Sequence, residues 1–294
     1  FVILLTATNK DLTGFVISRV VRLYPAFWAG VTLTTAVTLI LGHGRFTVDL
    51  IQYLANLTMI AGYFDVDYVD GVYWTLLVEL RFYLLIGIVV LLRQVSRLPA
   101  LLLSWLIVSV LSLFVSLPTK LNFLLLPDWS SYFIAGAMLF LIWRDGTSLF
   151  RLCVVAAAYC LSIIHALAHI PKLQEHYHAE FSGLVIVLVI TFIYGAMYLV
   201  ATGRTSNFSA RALQTLGVLT YPVYLIHQNI GYMLFNSLDE YLNKYVILLV
   251  VIALMLVLSY FIHKYIEKVL GTLLRNWLTT FAARTRLGNT PVIR

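Results

Sequence analysis

The chain has 294 residues, of which 61% are apolar and only 11% charged. One soluble core cannot absorb that much apolar surface, so the sequence reads as an all-α, polytopic integral-membrane helix bundle and not as a water-soluble domain. The net charge of +7 comes without a basic patch interleaved with aromatics, which argues against a nucleic-acid partner and for charge sorting across a bilayer.

In chain order, residues 1–5 (FVILL) are apolar, have no preceding half and start on Phe, so they are expected to be the cut end of a span in a sequence lacking its N-terminus. Next comes FVISRVVRLYPAFWAG, where Arg19 and Arg22 lie three apart on one helical face and Pro25 opens the first full span, 25–42. Arginines at a membrane surface serve as positive-inside anchors, yet two guanidiniums at this spacing also suit the phosphates of a soluble donor. Both readings stay open from these residues. The acidic turn of Asp65, Asp67 and Asp70 lacks the glycine and terminal Glu of a calcium loop and reads as a solvated outer loop, open to an acceptor sugar.

The run 72–92 holds only two formal charges, Glu79 and Arg81, among 21 residues. At about 1.5 Å per residue it reaches roughly 31 Å, enough to cross a bilayer. Charges in hydrocarbon are costly, so function is expected to concentrate here. Thr75, Glu79 and Tyr83 share a helix face, whereas Trp74 and Arg81 line nearly the opposite one. Glu79 and Arg81, two apart, cannot pair within the helix, and a structural interhelix salt bridge is the plainer alternative to a functional site.

Further spans are expected at 100–117, 130–143, 150–169, 182–201, 215–235 and 245–265, eight in all with 130–143 short. Cys153 and Cys160 lie about 10 Å apart along one helix, too far for a disulfide, and are expected as core residues. His165, His169, His176 and His178 lack the Glu of a zinc-protease pattern and are expected to be solvated or interfacial, so no metal site is predicted. Within 215–235, LTYPVYLIHQNIGY gathers Tyr221, Tyr224, His227, Gln228 and Asn229 around Pro222 and Gly231. Tyr224 and His227 share a face, and His227 falls at about the depth of Glu79, roughly 10–12 Å below the outer span end, where the two can meet. From 272 onward, Leu273, Leu274, Trp277, Leu278 and Phe281 beside Arg275 and Arg284 suggest a short interfacial helix and a flexible end. The expected division is therefore a membrane domain, 1–271, and a tail, 272–294.

Charges in alternate loops orient the chain. Fifteen of the twenty basic residues, among them Lys10, Arg93, Arg204, Arg211, Arg286 and Arg294, fall in one set, which is expected to be cytoplasmic together with the C-terminus. Nine acids, including Asp49, Asp128 and Glu240, fall in the other.

Three segments carry a family resemblance. R-x-x-R-L-Y-P-A-x-W at 19–28, the run Trp74-Thr75-Leu76-Leu77-Val78-Glu79-Leu80-Arg81-Phe82-Tyr83, and T-Y-P-V-Y-L-I-H-Q at 220–228 resemble, in this order, the acyltransferase family 3 membrane proteins. The resemblance implies a ten-span bundle that moves an acyl group, often acetyl, from cytoplasmic acetyl-CoA or another acyl-CoA to a hydroxyl of an extracytoplasmic carbohydrate or glycolipid. It implies an O-acyltransferase of a bacterial inner or plasma membrane, in contact with membrane lipid and without a metal. It further implies that Arg19 and Arg22 contact the coenzyme A phosphates, that Glu79, Tyr83 and His227 serve the transfer, and that Trp74, Arg81 and Tyr224 line the substrate path. The family's first span carries the His usually given the general-base role; that span is expected to be missing here, and no residue of this sequence inherits the role. The competing classes are a glycan transporter or flippase, which also places ionisable groups at mid-membrane, and a non-catalytic membrane partner.

Overall fold

Hydrocarbon offers no partner to a backbone N–H or C=O, so each apolar run satisfies its own backbone by coiling into a helix. The computed structural model describes residues 1–8, 10–205 and 211–288, the side chains of 211, 212 and 285–288 excepted. Its helices are α1 (Val2–Ala7), α2 (Leu12–Leu41), α3 (Leu50–Asn56), α4 (Trp74–Leu91), α5 (Leu98–Leu111), α6 (Thr119–Leu125) and α7 (Pro127–Asp145). They continue with α8 (Leu149–Ala168), α9 (Ile170–Tyr177), α10 (Gly183–Ala201), α11 (Arg211–Ile226), α12 (Gln228–Leu238), α13 (Lys244–Phe261) and α14 (Lys268–Gly288). There is no strand among the described residues.

By length and composition, six segments are able to cross a membrane: Leu12–Leu41, Gly71–Leu91, Thr119–Asp145, Leu149–Tyr177, Gly183–Ala201 and Lys244–Arg284. Two shorter apolar helices, Val95–Leu111 and Leu213–Ile226, occupy the remaining expected positions. The chain is an all-α integral-membrane helix bundle.

Several boundaries move. Pro25 lies inside α2 and does not start it, so Arg19 and Arg22 sit on the same continuous helix as the first span. The short segment 130–143 belongs to a 19-residue helix that starts at Pro127, with Asp128 in its first turn. The segment 215–235 is two helices, α11 and α12, meeting at His227. The tail beyond 272 runs on from α13 through a six-residue π-turn, Ile262–Glu267, into α14. The end expected to be flexible, with Arg294, falls in 289–294 and lies outside the described residues, as do the side chains of Arg211 and Arg286.

The helices form two compact units, Phe1–Leu12 with Arg81–Ser209 and Thr13–Leu80 with Ala210–Arg294; the division falls within α4. In the first unit α7 is apolar nearly all round, and Ile134, Ala135 and the run from Ala137 to Ile142 are buried, as a central helix requires. A chain of hydroxyls ties its neighbours to it. Ser130 Oγ bonds Ser109 Oγ of α5 at 2.7 Å, Ser131 Oγ bonds Ser162 Oγ of α8 at 2.9 Å, and Ser162 meets the Tyr194 hydroxyl of α10 at 2.7 Å. Such small polar contacts let helices approach closely where lipid tails are as apolar as leucine, each at a gain of about 0.6 kcal/mol. Helix α10 leaves Leu184, Leu188 and Phe192 exposed, an outer face suited to lipid. Cys153 and Cys160 also lie exposed on α8, not in the core as expected.

In the second unit Gly30 of α2 meets α11 so closely that a Cβ there would come 3.1 Å from Leu225 Cβ. Tyr221 donates to the Leu23 carbonyl at 3.1 Å and Tyr73 to the Leu225 carbonyl at 3.2 Å, fixing α11 against α2 and the start of α4.

Candidate functional site

The loop before α4 is solvated at two of its three acids and not at the third. Asp65 and Asp67 are exposed, as expected, but Asp70 is fully buried. Asn56, itself buried, clasps the loop by donating to the Asp67 carbonyl at 2.9 Å and accepting from the Val69 N–H at 3.1 Å. One Asp70 oxygen accepts from the Val72 N–H at 3.2 Å, capping its own helical turn, and the other accepts from the Asn229 N–H at 3.1 Å. Asn229 is the second residue of α12, whose own N-cap, His227, provides no side-chain cap. Asp70 therefore caps two helix starts at once, where orphan N–H groups and partial positive charge favour a carboxylate. Burial nevertheless outweighs those donors and the nearby His227, and pushes the Asp70 carboxyl up to about 6. The sequence signal was the Asp-Gly pair just ahead of an apolar helix; its second partner, 159 residues away, had no local signal.

This loop joins the two motifs predicted to face one another. Gly71 and the Gln228 amide pass close to one another: a Cβ at Gly71 would come 2.8 Å from Gln228 Nε2. The Thr75 and Tyr224 hydroxyls are hydrogen-bonded, and Tyr224 also donates to the Val72 carbonyl at 3.2 Å. His227 sits exposed at the break between α11 and α12, its ring 5.7 Å from that of Tyr224. Its Nδ1 lies 2.9 Å from the Tyr224 carbonyl, an acceptor only, so Nδ1 carries the proton and Nε2 keeps its lone pair in the neutral ring. Glu79 is half-buried one turn beyond Thr75 on α4, while Trp74 is exposed.

Arg81 and Tyr83 belong to the first unit. The Arg81 guanidinium lies over the Phe123 ring, 3.9 Å from its centre, and Tyr83 is buried. Glu79 and Arg81 thus fall on either side of the division within α4.

Arg22 occupies a cleft that sequence reasoning described only in part. Pro25 lacks an N–H, leaving the Val21 carbonyl without its helical donor. Gly271 of α14 passes close by, since a Cβ on it would be 3.7 Å from that carbonyl. The approach brings Arg22 against Glu267, with which it forms an ion pair, and Glu267 also accepts from His263 Nδ1 at 2.8 Å. The resulting cleft of about 500 Å³ is lined by Ser18, Arg22, His263, Glu267, Lys268 and Arg275, among others. Arg19 is not among the lining residues; it is half-buried and donates from Nε to Ser18 Oγ at 3.4 Å. The two arginines of the 19–28 motif therefore differ: Arg22 faces the cleft and Arg19 braces a residue of its wall. His263, Glu267, Lys268 and Arg275 escaped sequence reasoning, which read this stretch as the end of a span and an interfacial tail; the i, i+4 pair of His263 and Glu267 beside Lys268 was the available signal. Their π-turn is of a kind frequent at functional sites.

The family model for the acyltransferase domain of acyltransferase family 3 matches residues 1–264. The chain belongs to that family. No curated protein and no solved structure matches it. As a family 3 acyltransferase it is a membrane acyltransferase, and its three motif segments are the ones that supply Arg22, the Thr75–Tyr224 contact and His227.

Proposed function

We propose that this acyltransferase moves an acyl group, acetyl in the first instance, from an acyl-CoA on the cytoplasmic side to a hydroxyl of an extracytoplasmic carbohydrate or glycolipid. The observation that carries the reading is the Arg22 cleft: three basic side chains, Arg22, Lys268 and Arg275, line it with one acid, Glu267, in a chain of this family. Guanidinium forks and an ammonium suit the phosphates of a coenzyme A donor, and the carboxylate holds Arg22 in place until they arrive. Arg19, three residues before Arg22 on α2, is the second arginine assigned to those phosphates. The charge sorting of the loops supports a cytoplasmic C-terminus and a donor-side position for this end of α2.

In the transfer the acceptor hydroxyl oxygen attacks the thioester carbonyl, its proton passes to a base, the C–S bond breaks and the coenzyme leaves as thiolate. Such a step needs donors at the developing oxyanion and a proton acceptor. Glu79 and His227 are assigned to this machinery, with Trp74 and Tyr224 along the path. The fixed Nδ1–H of His227 leaves Nε2 to orient the acceptor hydroxyl.

The test titrates labelled acetyl-CoA into membranes containing the protein and reads donor binding, which does not depend on the general base. Saturable binding above that of membranes without the protein, lost when Arg19 and Arg22 both become Ala, is the expected result. A transporter reading draws on the broken helix at His227. It predicts glycan movement with no requirement for acetyl-CoA, and that outcome would replace the present one.

A further inference from the structure

The first unit contains a second cleft, of about 480 Å³, that no part of the foregoing uses. It centres on His165, which the sequence suggested was solvated or interfacial and which is instead only 7% exposed. Its Nδ1 lies 3.5 Å from an oxygen of Asp128, an acid more than half exposed in the first turn of α7. Its Nε2 is buried without a hydrogen-bond partner among the described residues. An imidazole nitrogen left so costs about 1–3 kcal/mol, which a ligand hydroxyl would recover. One turn on, His169 donates from Nδ1 to the His165 carbonyl at 2.9 Å, leaving its Nε2 as a second acceptor.

The lining also includes Ser112, Ser116, Asn122 and Lys172. The backbone is held unusually here: Leu126, just before Pro127 and Asp128, takes φ +48°, a left-handed conformation that costs a leucine about 1–2 kcal/mol.

The chemistry selects among ligands. Hydroxyl, amide, carboxylate and imidazole groups in one cleft match a molecule that is both donor and acceptor at several points. Asp128 opposes a polyanion, and no group of three His, Cys, Asp or Glu able to hold a metal ion occurs among the described residues. Leu113, Leu117 and Ala168 add apolar surface for a C–H face. We propose that this cleft binds a sugar residue, as the recognition site for the acyl acceptor; the assignment to the acceptor rests on the acyltransferase reading, whereas sugar binding stands on the lining alone. Asp128 holds the imidazole of His165, and His165 and His169 accept sugar hydroxyl protons through Nε2.

The test uses the full chain in detergent micelles and, as probes, methyl glucoside, methyl galactoside, methyl N-acetylglucosaminide and a polyprenyl-phosphate-linked monosaccharide. Saturation-transfer NMR and tryptophan fluorescence read the binding, Trp129 being 6.0 Å, ring to ring, from His169. The expected result is saturable binding of at least one probe, weakened at least tenfold by His165→Gln and by Asp128→Asn; the second variant changes an exposed acid and preserves the fold if the first does not. Binding of the lipid-linked probe alone supports the inference and identifies a glycolipid as the source. Absence of saturable binding by every probe, or binding unchanged in both variants, overturns it. Acetyl-CoA titrated into the same samples separates the two readings: if the wild type and both variants bind it but no sugar binds, the cleft assignment fails alone. If sugar binding is lost in the variants but acetyl-CoA never binds, the donor reading fails and the cleft stands.

Discussion

Glu267 and Asp70 are both buried acids of the second unit, and they are held by different means. Glu267 pairs with Arg22 and accepts from His263 at the edge of a cleft, so its partners remain available to a ligand. Asp70 has two backbone N–H donors to its oxygens among the described residues and is fully enclosed. A carboxylate answered by mobile cations marks a place where charge is exchanged with a ligand. One answered by helix N-termini marks a joint, because those donors cannot move without unwinding the helices they start.

The largest expected effect breaks the joint. Asp70→Ala leaves the N–H groups of Val72 and Asn229 without their acceptor, at a cost on the order of 4 kcal/mol; a fall in thermal midpoint too small to register would show that Asp70 is not a joint. Next comes its pH signature. Burial raises the Asp70 carboxyl from 3.8 to about 6, so the folded protein holds that proton more tightly than the unfolded chain. The stability it contributes is full below pH 3.8 and is lost as pH rises to about 6. The loss amounts to about 3 kcal/mol. Wild-type thermal midpoints should therefore drop across that window relative to Asp70→Asn and run parallel to it above; parallel curves throughout would contradict the assignment.

The other half of the comparison is tested by Arg22→Ala. Glu267 keeps His263 as a partner, so the fold persists while acetyl-CoA affinity falls about tenfold, near 1.4 kcal/mol. Unchanged affinity by titration calorimetry would reduce Arg22 to a structural counterion. Smallest is Tyr224→Phe, which removes the hydroxyl shared with Thr75 and the Val72 carbonyl at about 1 kcal/mol. Chemical denaturation of the variant gives the value, and no loss would mean that the two motifs are held together elsewhere.

Much of this was legible in the residues. The apolar runs place the helices, because length and hydropathy decide what enters a bilayer whatever packs beside it. The three motifs gave the family, and the i, i+4 rule gave the common face of Thr75 and Glu79 on which Tyr224 docks. The failures share a cause. Asp70 looked like its solvated neighbours Asp65 and Asp67, and His165 like the exposed His176 and His178, since burial depends on chain far away in sequence.

The sequence by itself determined the all-α membrane class, the positions of the helices and the family. Tertiary structure decided which ionisable groups are enclosed and which face clefts: Asp70 across 159 residues to Asn229, Arg22 across 245 to Glu267. The physical reason is that hydropathy is a property of each segment and sets the transfer into lipid locally. Neutralising a buried charge takes a second group at hydrogen-bond distance, and only the folded chain decides which group that is.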